Sequence, residues 1–489
     1  MRVGDGRTQP AAEHSASKRR DRDASLLQPC HHLHETSKKR RLLAETETLA
    51  LEPLSTYTPT LPTNYAPSSH SSLHTHKKHK NHHLRKTSTA DADRNWVYST
   101  RDLSLHKDKI VLVSYNILAV ENASKHPNLY SRVPPKYLDW DHRKKLLCEE
   151  ISQYSASILC FQEVDRFCDL DNLLQKDGFR GVYQARTGEA CDGCAIFWKN
   201  ELFTLLHQES IEFQMFGLRN NVAQLCVLKM TQDQPSSIQD TKASLAFQSR
   251  RLLVGNIHVL FNPKRGDIKL GQIRLFLKKA HELSQEWGNI PVVLAGDFNS
   301  MPQSAMYQFL ASAELDLQLH DRRNISGPIC PLEYQPYRRR YNYAASFWSS
   351  VSRPPIYRWS CEELSLATGN EGVTQLRHPL KLCSAYRGVH GCGITRDNHG
   401  EPLATSYHSN FMGTVDYIWH TREVVPVRVL DTLPINILRQ MGGLPSKKWG
   451  SDHLALVCEL AFAEDVINFC GICFIPFGQS ISSTSSCSV

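Results

Sequence analysis

Short apolar runs that each end on a carboxylate, an amide or an imidazole recur along this chain, and they restrict both its fold and its chemistry. The clearest is Pro291-Val292-Val293-Leu294-Ala295, followed at once by Gly296-Asp297-Phe298-Asn299. A short apolar run bounded by turn formers reads as a buried strand. Asp297 and Asn299, two apart on an extended backbone, point to the same side and could meet one metal-bound phosphate. Taken alone, the string reads first as a strand end closed by an Asx-type turn. The other runs change that reading.

Strands are expected at Ile110 to Asn116, Ile158 to Val164, Phe179 to Ala185, Cys194 to Lys199, Val222 to Met230 and Leu252 to Val259. Later ones are expected at Val415 to Trp419, Val424 to Leu430 and Leu454 to Leu460. Apolar residues at helical spacing predict helices over Asp141 to Tyr154 and Asp267 to Trp287. Strands alternating with helices define a layered α/β chain. Thr231 to Ser244 reads as an exposed loop, and Asp321 to Asn410 as a long, irregular, turn-rich segment. Within the latter, Tyr337-Arg338-Arg339-Arg340-Tyr341 and Pro355-Ile356-Tyr357-Arg358-Trp359 interleave cations with aromatics. Such loops can track a phosphate backbone while stacking bases, and they equally suit an ordinary surface insertion.

Of the 489 residues, the first hundred carry 16 Lys/Arg against 10 Asp/Glu, which leaves 41 against 39 for the rest. The formal charge of +8 is therefore mostly a property of the tail. A folded part that is close to neutral must use local patches if it binds RNA. Residues 1–105, rich in Ser, Thr, Pro and His without an apolar period, are expected to be a disordered basic tail. Lys18-Arg19-Arg20 and Lys38-Lys39-Arg40-Arg41 read either as nuclear import signals or as solvated charge. Residues 106–462 are expected to form one catalytic domain and 463–489 a C-terminal tail.

The amino terminus has no apolar h-region, and no stretch reaches the length of a membrane helix, so no membrane association is expected. Fifteen cysteines in such a chain are read as reduced thiols. Cys191-Asp192-Gly193-Cys194 and Cys470-Gly471-Ile472-Cys473 lack the partner spacing of a compact zinc site.

Asn116 ends one strand and Glu163 the next; Asn256 and His258 stand in Gly255-Asn256-Ile257-His258; Asp416 lies inside an apolar run; Ser451-Asp452-His453 precedes the last strand. Each has a dull explanation by itself. Together they supply what phosphodiester hydrolysis needs: a hard cation, an activated water and a donor for the developing oxyanion. Carboxylates and amides without cysteines favour Mg²⁺ or Mn²⁺ over zinc.

The order S-Y-N, Q-E-V, N-x-H, G-D-F-N-S, V-D-Y-I and S-D-H resembles the endonuclease/exonuclease/phosphatase superfamily. Asp192-Gly193-Cys194-Ala195-Ile196-Phe197 and Val415-Asp416-Tyr417-Ile418 look like the carbon catabolite repressor 4 homologues, poly(A)-specific exoribonucleases. The resemblance implies an α/β (α+β) four-layered sandwich of two packed mixed β-sheets flanked by helices. It also implies Glu163 as the principal Mg²⁺ ligand, supported by Asn116 and Asp452. Asp297 would position or deprotonate water and Asn299 would hold the phosphate. His453 and His258 would stabilise the phosphate, with Asp416 orienting His453. Phe411 and Pro263 would sandwich an adenine, and Asn256 is placed with them among the substrate-binding residues.

The activity implied is Mg²⁺-dependent 3′ to 5′ shortening of mRNA poly(A) tails with release of 5′-AMP, in the nucleus and cytoplasm, with RNA bearing a poly(A) 3′ end as the partner. A same-fold 2′-phosphodiesterase, a nucleotide or lipid phosphatase, and a non-catalytic RNA-binding scaffold are the alternatives. Membership of the catabolite-repressor/Not deadenylase complex is the further partner considered. Many family members reach it through leucine-rich repeats, and the tail shows no L-x-x-L-x-L period. Whether one cation or two would bind is left open.

Overall fold

The computed structural model describes residues 93–103, 108–231, 250–327 and 356–463. Two mixed sheets lie face to face. The seven-stranded sheet runs in the order Trp96–Tyr98, Val424–Leu430, Leu456–Phe462, Lys109–Asn116, Ile158–Gln162, Gly193–Lys199, Phe179–Ala185. The six-stranded sheet runs Cys383–Ser384, Asp416–His420, Val292–Asp297, Arg251–His258, Val222–Met230, Phe203–Glu212. Each contains one parallel pair, Lys109–Asn116 with Ile158–Gln162 and Arg251–His258 with Val292–Asp297.

The apolar runs are continuous because both faces of each central strand are covered. Along Lys109–Asn116, Ile110 and Leu112 face the core between the sheets, beside Val254, Val293, Ala295 and Ile418 of the other sheet. Val111, Val113 and Tyr115 alternate to the outer face, under Leu147 and Ile151 of the Trp140–Ser152 helix. On the far side, Ile273, Phe276 and Leu277 of the Gly266–Glu286 helix cover Leu225, Leu253 and Leu294. Helix, sheet, sheet and helix make the four layers.

Local chemistry fixes the helix boundaries. Asp139 caps the Trp140–Ser152 helix by accepting from the His142 amide. Ser360 and Glu363 form a reciprocal capping box at Cys361–Thr368, which stops at Gly369 in the left-handed conformation.

Several expectations are corrected. The expected tail, residues 1–105, overlaps the fold, because Trp96–Tyr98 pairs antiparallel with Val424–Leu430. Arg94 is buried there, bonded to Glu150, Tyr154 and three backbone carbonyls. The segment expected to be irregular, Asp321 to Asn410, is turn-rich where it is described, but from residue 356 onward it also holds the Cys361–Thr368 helix and three short strands, and parts of it join the core. Trp359 donates to the His320 carbonyl, and Tyr386 sits in the core between the sheets. The Phe203–Glu212 strand, absent from the sequence reading, forms an edge of the six-stranded sheet. The import-like clusters, Tyr337-Arg338-Arg339-Arg340-Tyr341, Cys470-Gly471-Ile472-Cys473, nearly all of Thr231 to Ser244 and nearly all of the C-terminal tail lie outside the described residues. Among the described residues, no helix is long and apolar enough to cross a membrane.

Candidate active site

Strand register assembles the site. His258 is paired with Asp297 across the parallel strands, and Asp297 is paired with Asp416 across the antiparallel ones, so three residues remote in sequence form one row. Gly296 permits the close approach beside them, since a Cβ there would stand 2.1 Å from the Ile257 carbonyl oxygen at a φ of 153°. The other sheet contributes Asn116 and the turn after Gln162, where Glu163 takes a left-handed φ of 56°. Such a backbone is uncommon in a residue that is not glycine.

These ends surround a cavity of about 530 Å³, lined by Glu163, His258, Asp297, Asn299, Asp452 and His453, with Pro263 and Phe411 beside them. Asn116 joins the two sheets by donating from Nδ2 to Glu163 Oε1 and to Asp297 Oδ2, each at 3.1 Å. Glu163 is also held by the Ala119 amide at 3.1 Å and by Asn122 Nδ2 at 2.9 Å. Tyr130 donates to Asp452 Oδ2 at 3.0 Å.

Asp297 lies between two histidines, with His258 Nε2 at 3.6 Å and His453 Nε2 at 3.9 Å from its Oδ2. The two rings are driven to opposite charge states. Burial, with Arg186 and His453 adding to it and Asp192 opposing, pushes His258 down to about 4. Burial disfavours charge on His453 as well, but Asp416, bonded to its Nδ1 at 2.9 Å, with Asp452 and Asp297, holds it well above the ordinary histidine value. The result is a neutral imidazole on one side of Asp297 and an imidazolium on the other. Burial and the Asp416 carboxylate push Asp297 upward, while His453 and hydrogen bonds from the Asn299 amide and Asn116 oppose that shift. A carboxylate raised in this way is suited to accept a proton from water.

Two sets of residues offer metal-ligating atoms. Asp297, Asp416 and His453 bring one such atom each within 4.8 Å of one another. That group is better described as a charge-paired dyad beside a base, because Asp416 occupies His453 Nδ1 and keeps the ring protonated. Glu163 and Asp452 provide hard oxygen donors at the pocket wall, and Asn116 is bonded to Glu163 behind it. Each Glu163 oxygen retains acceptor capacity beyond the bonds described. This donor set fits a hard divalent cation.

Eight of the eleven expected site residues line this pocket, and Asn116 and Asp416 stand behind it, bonded to Glu163, Asp297 and His453. The exception is Asn256, expected to bind substrate. It is buried between the sheets, donating to the Phe161 and Ala195 carbonyls at 2.9 Å each and accepting from Gln162 Nε2 at 2.8 Å. Every one of those partners is on the opposite sheet, so its role is to join the layers. The sequence reading missed Asn122, Tyr130, Arg186 and Lys269. Arg186 lines the cavity and pairs with buried Asp192 at 3.1 Å. Only Asp192 carried a sequence signal, through its place in the D-G-C-A run.

The chain belongs to the Endonuclease/Exonuclease/phosphatase family, whose model matches residues 113–453. It is accordingly a hydrolase of the nuclease and phosphatase type. Within that family it is a carbon catabolite repressor 4-like protein. It is 61% identical to Carbon catabolite repressor protein 4 homolog 5 of Arabidopsis thaliana, over 77% of this chain and 82% of the relative. Homolog 3 of the same plant is 47% identical over 76% and 80%. Among solved structures, ANGEL2, a 2′,3′-cyclic phosphatase in complex with adenosine-2′,3′-vanadate, is similar at 27% identity and a TM-score of 0.59, covering 76% of this chain and 99% of that one.

Proposed function

We propose that the chain is a divalent-metal-dependent 3′ to 5′ exoribonuclease that shortens poly(A) and releases 5′-AMP. The observation that supports it best is Asp297 set between a neutral and a charged histidine, in a pocket that also holds Phe411 and Pro263. A cation held by Glu163 and Asp452 would neutralise charge on the scissile phosphate. Asp297 orients the attacking water and takes its proton, and the His453 imidazolium donates to the phosphate oxygen on which charge grows. Asn299 donates one amide N–H to the Val259 carbonyl and retains a second for the phosphate. Phe411 and Pro263 offer apolar surfaces for a base. RNA ending in poly(A) is the partner this reading requires.

A second reading is hydrolysis of a terminal 2′,3′-cyclic phosphate, favoured by the similarity to ANGEL2. The same base, imidazolium and cation serve both reactions. Labelled oligo(A), oligo(U) and oligo(C), each with a free or a 2′,3′-cyclic phosphate end, separate them. Faster stepwise loss of AMP from oligo(A), abolished by EDTA, is the expected result. Equal rates on the three sequences would remove the poly(A) claim, and opening of the cyclic end without chain shortening would replace the first reading with the second.

A further inference from the structure

Lys269 lies in the first turns of the Gly266–Glu286 helix and is fully buried. Its ammonium has no carboxylate within ion-pair distance among the described residues. Instead it donates to two neutral acceptors, the Asn299 carbonyl at 2.7 Å and Ser326 Oγ at 3.0 Å. A buried lysine without a carboxylate partner is costly, burial pulling its ammonium down to about 7 with the Asp297 carboxylate opposing, and an apolar side chain would fill the space without that cost. Its location is what accounts for it. Asn299 holds a left-handed φ of 48°, and both Asn299 and Ser326 line the catalytic cavity. The Asn299 turn is then fixed at three points: its amide on Asp297 Oδ1 at 2.8 Å, its side chain on the Val259 carbonyl at 2.9 Å, and its carbonyl on Lys269.

We propose that Lys269 is a positioning residue for phosphate chemistry, clamping the Asn299 turn so that the Asn299 amide and the Asp297 carboxylate face the scissile phosphate together. The inference rests on the phosphodiesterase reading of the pocket but not on the choice of RNA.

The test compares Lys269→Met, Lys269→Gln and Ser326→Ala in the full chain with Mg²⁺, measuring kcat, KM and melting temperature on oligo(A). Lys269→Met is expected to lower kcat about 30-fold, with KM within about threefold of wild type and the melting temperature unchanged or higher. Lys269→Gln, which keeps a donor for the Asn299 carbonyl, is expected to recover most of that loss. Wild-type kcat in Lys269→Met, or a loss of kcat that follows a lowered melting temperature, overturns the proposal. If Lys269→Met does not fold, Ser326→Ala decides: a kcat reduced about threefold at constant KM supports the clamp, and an unchanged kcat overturns it. If the wild-type chain does not turn over oligo(A), the same comparison is made on adenosine 2′,3′-cyclic phosphate, so that failure of the RNA reading is distinguished from failure of the clamp.

Discussion

Asp416 Oδ2 lies 2.9 Å from Nδ1 of His453, a buried pair 37 residues apart in sequence. The carboxylate fixes the ring and keeps it charged, which leaves Nε2 as a donor toward the pocket. His453 therefore depends on Asp416 for both its orientation and its proton.

Replacing Asp416 by Asn removes the charge while nearly keeping the shape. The expected loss in kcat is about 10²- to 10³-fold with little change in KM. The direction with pH follows from the raised histidine value. His453 is charged below its own pKa, so activity that needs the imidazolium is lost as pH rises through it. Asp416→Asn lowers that pKa and should move the alkaline limb of the kcat profile to lower pH. An alkaline limb that stays in place would rule out His453 as the group responsible.

Glu163→Gln keeps the contacts of an oxygen acceptor but removes a charge from the proposed cation site. Half-maximal activity should then require on the order of 10²-fold more Mg²⁺. A Mg²⁺ titration of the rate reads this directly, and an unshifted midpoint would place the cation elsewhere.

Phe411→Ala should weaken binding of oligo(A) by about 1–3 kcal/mol, seen as a higher KM. Hydrolysis of a small phosphodiester without a nucleobase should change by no more than about threefold. Equal losses on both substrates would mean that Phe411 supports the fold of the pocket and does not read a base. Its ring already lies 5.9 Å from that of His408, a contact able to serve such a structural purpose.

His258 supplies a stability test. Its folded-state value of about 4 lies below the ordinary 6.5, so the unfolded chain binds its proton more readily. Its stabilising contribution is full above about pH 6.5 and is lost as pH falls toward 4, on the order of 3 kcal/mol in all. Asp297, raised in the fold, favours the folded state in the opposite direction over part of the same range. The measurement is therefore the difference in unfolding free energy between wild type and His258→Asn at pH 7, 5.5 and 4.5. Wild type should lose its advantage on acidification; a difference independent of pH would contradict the neutral imidazole.

Most central strands were legible because burial on both faces imposes continuous apolar runs such as Val292-Val293-Leu294-Ala295. Phe203–Glu212 was not, because an edge strand exposed on one side carries His207, Gln208 and Glu209 and loses that signal. The site residues that end apolar strands were found for the same reason as the strands. Tyr130, Asn122 and Arg186 sit in short helices and turns, where their side chains follow no period. Lys269 was hidden in the other direction: a lysine in an amphipathic helix reads as surface, and only the packed structure shows its ammonium inside. Asn256 was assigned by its closeness to His258, but the alternation of a strand sends residues two apart to the same face at different depths, so one reaches the pocket and the other the core.

Glu163 rides on one sheet and Asp297 on the other, and Asn256 spans the gap between those sheets two residues before His258. The separation of the Glu163 and Asp297 carboxylates, both bonded to Asn116, thus depends on the thickness of the layer between the sheets as well as on the turn that carries Glu163. An enlarged side chain deep in that layer, far from any phosphate, would wedge the two halves of the reaction apart and act as a remote throttle on the chemistry.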